Sequence, residues 1–226
     1  TMMEAAKGQL AGRRLLHVEG PFGLGLKAVP LQDERGEDGL TTGRVLPLSL
    51  IRKPFTLGER DLANYEREGV VLNTNPVAEA AIAAARQEDG LIFDGASDVP
   101  GLLTAEDAHQ HKLSAWEEMG AAANDLIQAI TALDGAGFHG PYTLALSPAR
   151  YNLLFRLYTR GNRSEMEHVR TMITEGVVKA PALESGGVLL ASGRRYASIL
   201  LGQDMSIAFI GPGDSGLEFA ISESLA

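Results

Sequence analysis

The side chains best suited to chemistry are a few clustered histidines and carboxylates. His109 and His111 stand two residues apart, just after Glu106 and Asp107. Imidazole and carboxylate groups bind zinc when a third ligand converges on them. The segment is polar throughout, so a solvated loop is the favoured interpretation, and a metal site is the alternative. The expectation is therefore that the chain carries no metal.

Two pairs of adjacent carboxylates are candidates for acid–base catalysis. Glu88–Asp89 and Glu117–Glu118 stand on, or at the end of, predicted helices. Carboxylates in such positions usually form a solvated helix face, and we interpret both pairs in that way. Ser147 and Ser164 have the pattern of helix caps, and no G-x-S-x-G elbow surrounds either serine. The sequence therefore predicts no catalytic residue and no enzyme.

Two glycine-rich segments, GPFGLG (20–25) and GPGDSG (211–216), suggest a nucleotide site at first sight. Neither has the G-x-G-x-x-G order, and neither is followed by the lysine of a phosphate-binding loop. Glycine mostly marks turns. We therefore predict turns at both places and no cofactor.

Composition limits the possible partners. The 226 residues include no cysteine, which excludes disulfides and thiolate metal sites. The net charge of -9 gives no general attraction to nucleic acid or to anionic lipid. No apolar run approaches the roughly 20 residues that cross a bilayer. We expect a cytoplasmic protein without membrane partners. The acidic balance disfavours nucleic acid for the surface as a whole, whereas an inner face could differ in charge.

The segment 26–57 is predicted to form a long hairpin whose tip, QDERGEDG, is charged. A long two-stranded hairpin is only marginally stable by itself. Either the same domain or a neighbouring subunit must cover its apolar return strand. We predict burial against another subunit for the apolar residues of that strand, which are Val45, Leu46, Leu48, Leu50 and Ile51.

Helices and strands are mixed along the rest of the chain. Asn75-Pro76 predicts the start of an alanine-rich helix over 76–89, ended by Gly90. Apolar spacing predicts a second helix over 116–133. A strand at 142–146 and several strands after Val177 follow, without regular βαβ alternation. The pattern is that of an α+β fold.

Six segments occur in an order that is informative as a set. They are LAGRRLLHVEGPFG (10–23), PFTL (54–57), RQEDGLIFDG (86–95), GPYTLALSPARYN (140–152), LLGQDMSIAFIG (200–211) and LEFAISESLA (217–226). Together they resemble the encapsulin family of shell proteins (family 1 type, formerly called linocin or bacteriocin-like). The resemblance spans nearly the whole chain, although the family normally has a longer N-terminal helix and a further strand after the last segment.

The resemblance implies the HK97 phage major-capsid-like fold, which has a peripheral domain, an axial domain and an extended loop. It divides the chain as follows: 1–25 as the N-terminal segment of the peripheral domain, 26–57 as the extended loop, 58–115 as the peripheral domain with a spine helix over 76–89, 116–212 as the axial domain and 213–226 as a return strand to the peripheral domain.

The implied function is that of a self-assembling subunit of a closed icosahedral nanocompartment. It would enclose cargo enzymes of ferritin-like or peroxidase type, each bound through a short targeting peptide. A viral or prophage major capsid protein is the alternative with the same fold, although the acidic balance favours protein cargo. A hydrolase or bacteriocin-like enzyme is the alternative of another class. Some members bind flavin through a tryptophan near the place of Arg60, so no flavin is expected.

The resemblance also implies two sites. The polar turn TRGNRS would line a pore at the five-fold axis, where Arg160, Gly161, Asn162 and Arg163 meet their symmetry copies. An ordinary exposed turn is the alternative. The cargo peptide would lie in an apolar groove, although these residues could equally be plain core. The groove residues are Arg13, Leu15, Leu16 and Val18, faced by Phe219 and Ile221.

Overall fold

The structure, a computed structural model, describes residues 1–97, 99–158 and 162–226. Within these ranges the chain forms seven helices. They are α1 (Met2–Lys7), α2 (Gly12–Leu15), α3 (Glu59–Glu68), α4 (Asn75–Asp94), α5 (Ala121–Gly135), α6 (Pro148–Leu153) and α7 (Glu165–Met172). No helix among the described residues is long and apolar enough to cross a membrane.

The same ranges contain thirteen strands, several of them very short. They are β1 (His17–Glu19), β2 (Ala28–Pro30), β3 (Glu34–Arg35), β4 (Thr41–Thr42), β5 (Val45–Pro47), β6 (Ser49–Gly58), β7 (Gly95–Ala96), β8 (Val99–Pro100), β9 (Tyr142–Leu146), β10 (Gly176–Lys179), β11 (Gly187–Ala191), β12 (Ser198–Gly213) and β13 (Gly216–Leu225).

A four-stranded sheet in the order β1-β12-β13-β6 forms the first body. β13 runs antiparallel to both of its neighbours, and its hairpin with β12 closes at Gly213 and Gly216. Helix α4 packs on this sheet through small side chains, among them Ala81 and Ala84, which share a core with Ile221. Alanines let the helix lie close to the strands, and α1 packs against α4 in turn.

The second body is built on the three-stranded sheet β10-β9-β11. Its core includes Trp116, Leu126, Leu146 and Ile173, all fully or nearly fully buried. A third cluster joins the two bodies, because Phe93 at the end of α4 and Leu15 of α2 share a core with residues of β9, β10 and β11. α2 and the end of α4 therefore lie at the junction between the sheets.

Helix α4 is longer than the predicted helix over 76–89, because Gly90 does not end it. A glycine inside a helix costs about 1 kcal/mol relative to alanine. The burial of Leu91, Ile92 and Phe93 on the last turn outweighs that cost. The helix ends instead at Gly95, whose φ of 78° lies in the left-handed region that glycine favours.

Helix α5 begins later than the predicted position 116, at Ala121. Trp116 precedes the helix with a φ of 61° and is fully buried. Its indole N–H donates to Asp125 Oδ2 at 2.7 Å, and the Ser114 N–H donates to the same oxygen at 2.7 Å. Asp125 thus holds the segment before the helix as a loop. Apolar spacing alone does not reveal this arrangement.

The predicted hairpin over 26–57 is divided between two structures. Two short antiparallel ladders, β2–β5 and β3–β4, form its outer part. The return strand then continues as β6 and pairs with the whole length of β13. The predicted boundary at 212, between the axial domain and the return strand, also differs from the structure. β12 lies before that boundary, but it pairs with β13 in the first sheet.

Candidate functional site

Three carboxylates surround Arg13 on α2. Its Nε donates to Glu88 Oε1 at 2.7 Å and its Nη2 to Glu88 Oε2 at 2.8 Å. Nη2 also donates to Glu223 Oε2 at 3.0 Å, and Nη1 to Asp204 Oδ1 at 2.6 Å. We call these four residues the Arg13 cluster. It joins α2, α4, β12 and β13 at one point.

Burial governs the ionisation of the Arg13 cluster. Burial alone lowers the pKa of Arg13, but the hydrogen bonds and charges of Glu88 and Asp204 more than compensate and hold it above its ordinary value. Burial, with the charge and hydrogen bond of Glu88, raises the pKa of Glu223 to about 9, although Arg13 acts to lower it. Burial and the neighbouring charge of Glu88 therefore favour the protonated form of Glu223.

Asp89, which follows Glu88 on α4, holds the backbone at the start of α2. Its Oδ2 accepts the Ala11 N–H and its Oδ1 the Gly12 N–H, both at 2.9 Å. Burial raises the pKa of Asp89 to about 6, and these two hydrogen bonds act against that rise. A side chain at Gly12 would collide with Ile92, so glycine permits this close approach.

The interpretation of Glu88 and Asp89 as a solvated pair is wrong, because both side chains are buried. The spacing along the helix could have predicted that Glu88 is buried. Glu88 stands four residues from Ala84 and from Ile92, and both of those face the core. Glu117 and Glu118, by contrast, are exposed as expected.

The structure separates the predicted cargo-groove residues into different environments. Arg13 belongs to the buried cluster and is not an open edge, since only 15% of its side chain is exposed. Leu15 and Ile221 are core residues of this chain, because they lie under α4 and the sheets. The remaining three are half-buried at the margin of the first core, and they are Leu16, Val18 and Phe219.

The predicted inter-subunit residues of the loop also divide. Ile51 is buried in the core of its own chain, because β6 pairs with β13 under α4. Leu46 and Leu48 are half-buried. Val45 is 62% exposed and Leu50 is 53% exposed. The two exposed side chains are the ones free to meet another subunit.

A second exposed apolar surface follows the outer edge of β12. Beyond Gly202, which accepts the Gly23 N–H, no strand of the described chain pairs with this edge. Ile207, Phe209 and Ile210 are exposed there. Phe209 packs against Phe219, with 5.3 Å between ring centroids. An unpaired apolar edge of this kind is a ready template for another chain.

The predicted pore turn joins α6 to α7. Arg160 and Gly161 lie outside the described residues. Asn162 and Arg163 are exposed, and the Tyr158 N–H donates to the Arg163 carbonyl at 3.0 Å. The capping box of Ser164 and Glu167 that follows begins α7.

The histidine pair gives no metal centre in the described part of the chain. His109 and His111 are exposed on the loop before Trp116. The described residues contain no group of three or more side chains arranged to hold a metal ion. Both glycine-rich segments form turns, and Gly213 and Gly216 close the β12–β13 hairpin.

Comparison with known sequences gives a match over the whole chain. The profile of Linocin_M18, described as encapsulating protein for peroxidase, matches residues 1–226. The type 1 encapsulin shell protein EncA of Myxococcus xanthus is 29% identical over 100% of this chain and 85% of its own length. A diheme-cytochrome-encapsulin shell fusion protein of Kuenenia stuttgartiensis is 28% identical over 96% of this chain, which spans only 65% of that longer protein.

Solved structures share the fold at low sequence identity. The virus-like particle from Pyrococcus furiosus superposes with a TM-score of 0.81 at 20% identity, covering 100% of this chain and 90% of that one. The capsid of Myoviridae phage XM1 gives a TM-score of 0.62 at 14% identity, covering 93% of this chain and 84% of that one. The α+β, HK97-like capsid fold predicted from the sequence is thus confirmed.

Proposed function

The chain belongs to the Linocin_M18 family of encapsulating proteins and is a shell protein of the encapsulin type, and we propose that many copies close into an icosahedral shell around cargo enzymes. The match over residues 1–226 is the observation that carries this proposal. The role is structural, and it assigns the chain no catalytic residue. The phage capsids share the fold alone, at 14% identity for phage XM1.

Surfaces of the lone chain support assembly. Val45 and Leu50 on the loop, and Ile207 and Phe209 on the β12 edge, expose apolar area. Exposed apolar patches on a folded chain commonly mark contacts with other proteins. Two such surfaces on different parts of one chain let each copy contact several neighbours, as a closed shell requires.

Sedimentation velocity of the purified chain tests whether it assembles. The proposal predicts one large species that sediments far faster than a single chain, with little dependence on dilution. A single-chain species at every concentration would contradict the shell function.

We place the cargo peptide at the margin of the first core, where Leu16, just before β1, and Val18, on β1, are half-buried. Apolar anchors of this kind hold extended peptides, while polar groups set their register. The peroxidase named in the family description is the cargo class we propose, with ferritin-like proteins as the second class. Leu15 and Ile221, being core residues, support the groove from beneath.

Changing Leu16 to aspartate is expected to leave shells intact but nearly empty. A charge facing an apolar peptide anchor is left without a partner, and a loss of only about 1.4 kcal/mol lowers affinity tenfold. Co-expression with a peroxidase carrying its terminal peptide, followed by protein quantification of purified shells, measures the loading. Leu103→Asp, the same new charge at an exposed leucine that is not one of the proposed groove residues, is the control. If the Leu16→Asp shells fill normally, the cargo peptide does not bind at Leu16.

We propose that the polar turn TRGNRS (159–164) lines an opening at the five-fold axis. The exposure of Asn162 and Arg163, and the hydrogen bond from the Tyr158 N–H to the Arg163 carbonyl, support a solvent-facing position for these described residues. Repeated arginines around an axis would form a positive ring that favours anions. The carboxylate of Glu167, on the first turn of α7, would partly offset the positive charge of such a ring.

Reversing Arg160 and Arg163 to glutamate is expected to slow the passage of anionic reagents into the shell and to speed that of cations. Rates of reaction of an enclosed enzyme with matched anionic and cationic substrates measure the effect. Arg170→Glu, on the exposed side of α7, serves as the control. If each substrate reacts at the same rate in the double variant as in the unchanged protein, the turn does not line a pore.

A further inference from the structure

Two buried carboxyl groups from different elements share one arginine in the Arg13 cluster. Glu88 on α4 and Glu223 on β13 are both fully buried. Arg13 donates to both carboxylate oxygens of Glu88 and to one oxygen of Glu223. The other oxygen, Glu223 Oε1, has no hydrogen-bond partner among the described residues.

The charges around Glu223 do not balance if every group is ionised. α2 supplies Arg13, while α4 supplies Glu88, with Asp89 beside it, and β12 supplies Asp204. The residue opposite Glu223 on β6 is Ile51, which carries no charge. The exposed Arg14 of α2 is directed elsewhere, since its Nη2 donates to the Lys179 carbonyl.

One guanidinium cannot compensate three carboxylates, two of them out of water. An uncompensated buried ion strongly destabilises the folded state. Keeping one proton on the Glu88–Glu223 pair removes that cost and provides a hydrogen bond between the two carboxyl groups.

We propose that the Glu88–Glu223 pair is a protonation switch, in which one retained proton keeps the junction of α2, α4 and β13 closed and its loss at alkaline pH opens that junction. The inference goes beyond the shell function and does not depend on it. α2 is the element expected to move, because it is a single turn and covers the pair through Arg13.

The direction of the pH effect follows from linkage. A carboxyl group whose pKa is raised in the folded state stabilises that state fully below its ordinary pKa and loses the contribution as pH rises through the raised value. For Glu223 the window runs from the ordinary 4.5 to about 9. Within it the opening equilibrium shifts by up to about tenfold per pH unit.

Hydrogen exchange of the purified protein tests the switch. The Leu15 and Leu16 amides donate to the carbonyls of Ala11 and Gly12, and these hydrogen bonds form the single turn of α2. Their protection from exchange therefore reports whether the junction is closed. After correction for intrinsic exchange rates, protection in the unchanged protein should fall up to about 100-fold between about pH 7 and about pH 9. Protection that stays constant over this range would overturn the proposal.

The variant Glu223→Gln mimics the protonated side chain, since its amide can still accept from Arg13 and donate to Glu88. Protection of α2 in this variant should stay constant over the same range. Glu218→Gln, on the exposed part of the same strand, is the matched control and should keep the pH dependence of the unchanged protein. An identical pH profile in Glu223→Gln and in the unchanged protein would overturn the proposal, and the unchanged protein alone decides the matter if that variant does not fold.

Discussion

Replacing both Val45 and Leu50 with aspartate is expected to give a folded chain that no longer assembles. Both side chains are exposed on the lone chain, so their replacement leaves its own core intact. In a shell they would face another subunit, and a buried aspartate without a partner costs several kcal/mol at each site. Because every contact is repeated by symmetry, the cost recurs in each subunit. Native mass measurement should therefore show single chains in place of shells.

Leu48 is left unchanged in this design because its side chain lies close to Gly202 of the same chain. Thr42→Asp, on the exposed strand β4, is the control and should assemble normally. Circular dichroism separates loss of assembly from loss of folding. Shells that form normally from the double variant would show that the loop is not an assembly contact.

Replacing Arg13 with alanine is expected to produce the largest loss of stability in the first body. The change leaves Glu88 without its bidentate partner and removes the guanidinium that pairs with Glu223. Breaking a buried ion pair typically costs about 3–5 kcal/mol. For a chain of this size, such a loss lowers the Tm by on the order of 10 °C, which thermal unfolding of the assembled protein measures.

Arg194→Ala supplies a matched control for that measurement. Arg194 also forms a bidentate pair, with Glu19 at 2.6 and 2.9 Å, but 72% of its side chain is exposed. Pairs exposed to this degree contribute about 0–1 kcal/mol. If the two variants lose equal and small stability, the Arg13 cluster does not hold α2 to the sheet.

Local signals in the sequence predict many elements correctly. Asn75-Pro76 begins α4, and Ser164 with Glu167 forms the capping box of α7. The strand over 142–146 is β9. Such signals succeed because caps and prolines act on the residues next to them.

Features that depend on distant residues escape the same reasoning. Gly90 looks like a helix end until the burial of Phe93 by the second sheet is known. Ile51 and Leu50 are neighbours in one apolar run, but pairing with β13 buries the first and exposes the second. Arg13 looks like the edge of a groove because its partners, Glu88 and Glu223, lie 75 and 210 residues away.

Single-particle electron microscopy of the purified chain tests the central claim most directly. The account predicts closed particles of uniform size with icosahedral symmetry, in which Val45 and Leu50 contact a neighbouring subunit. Compact single chains, or irregular aggregates without closed particles, would contradict the assignment of this protein as a shell subunit.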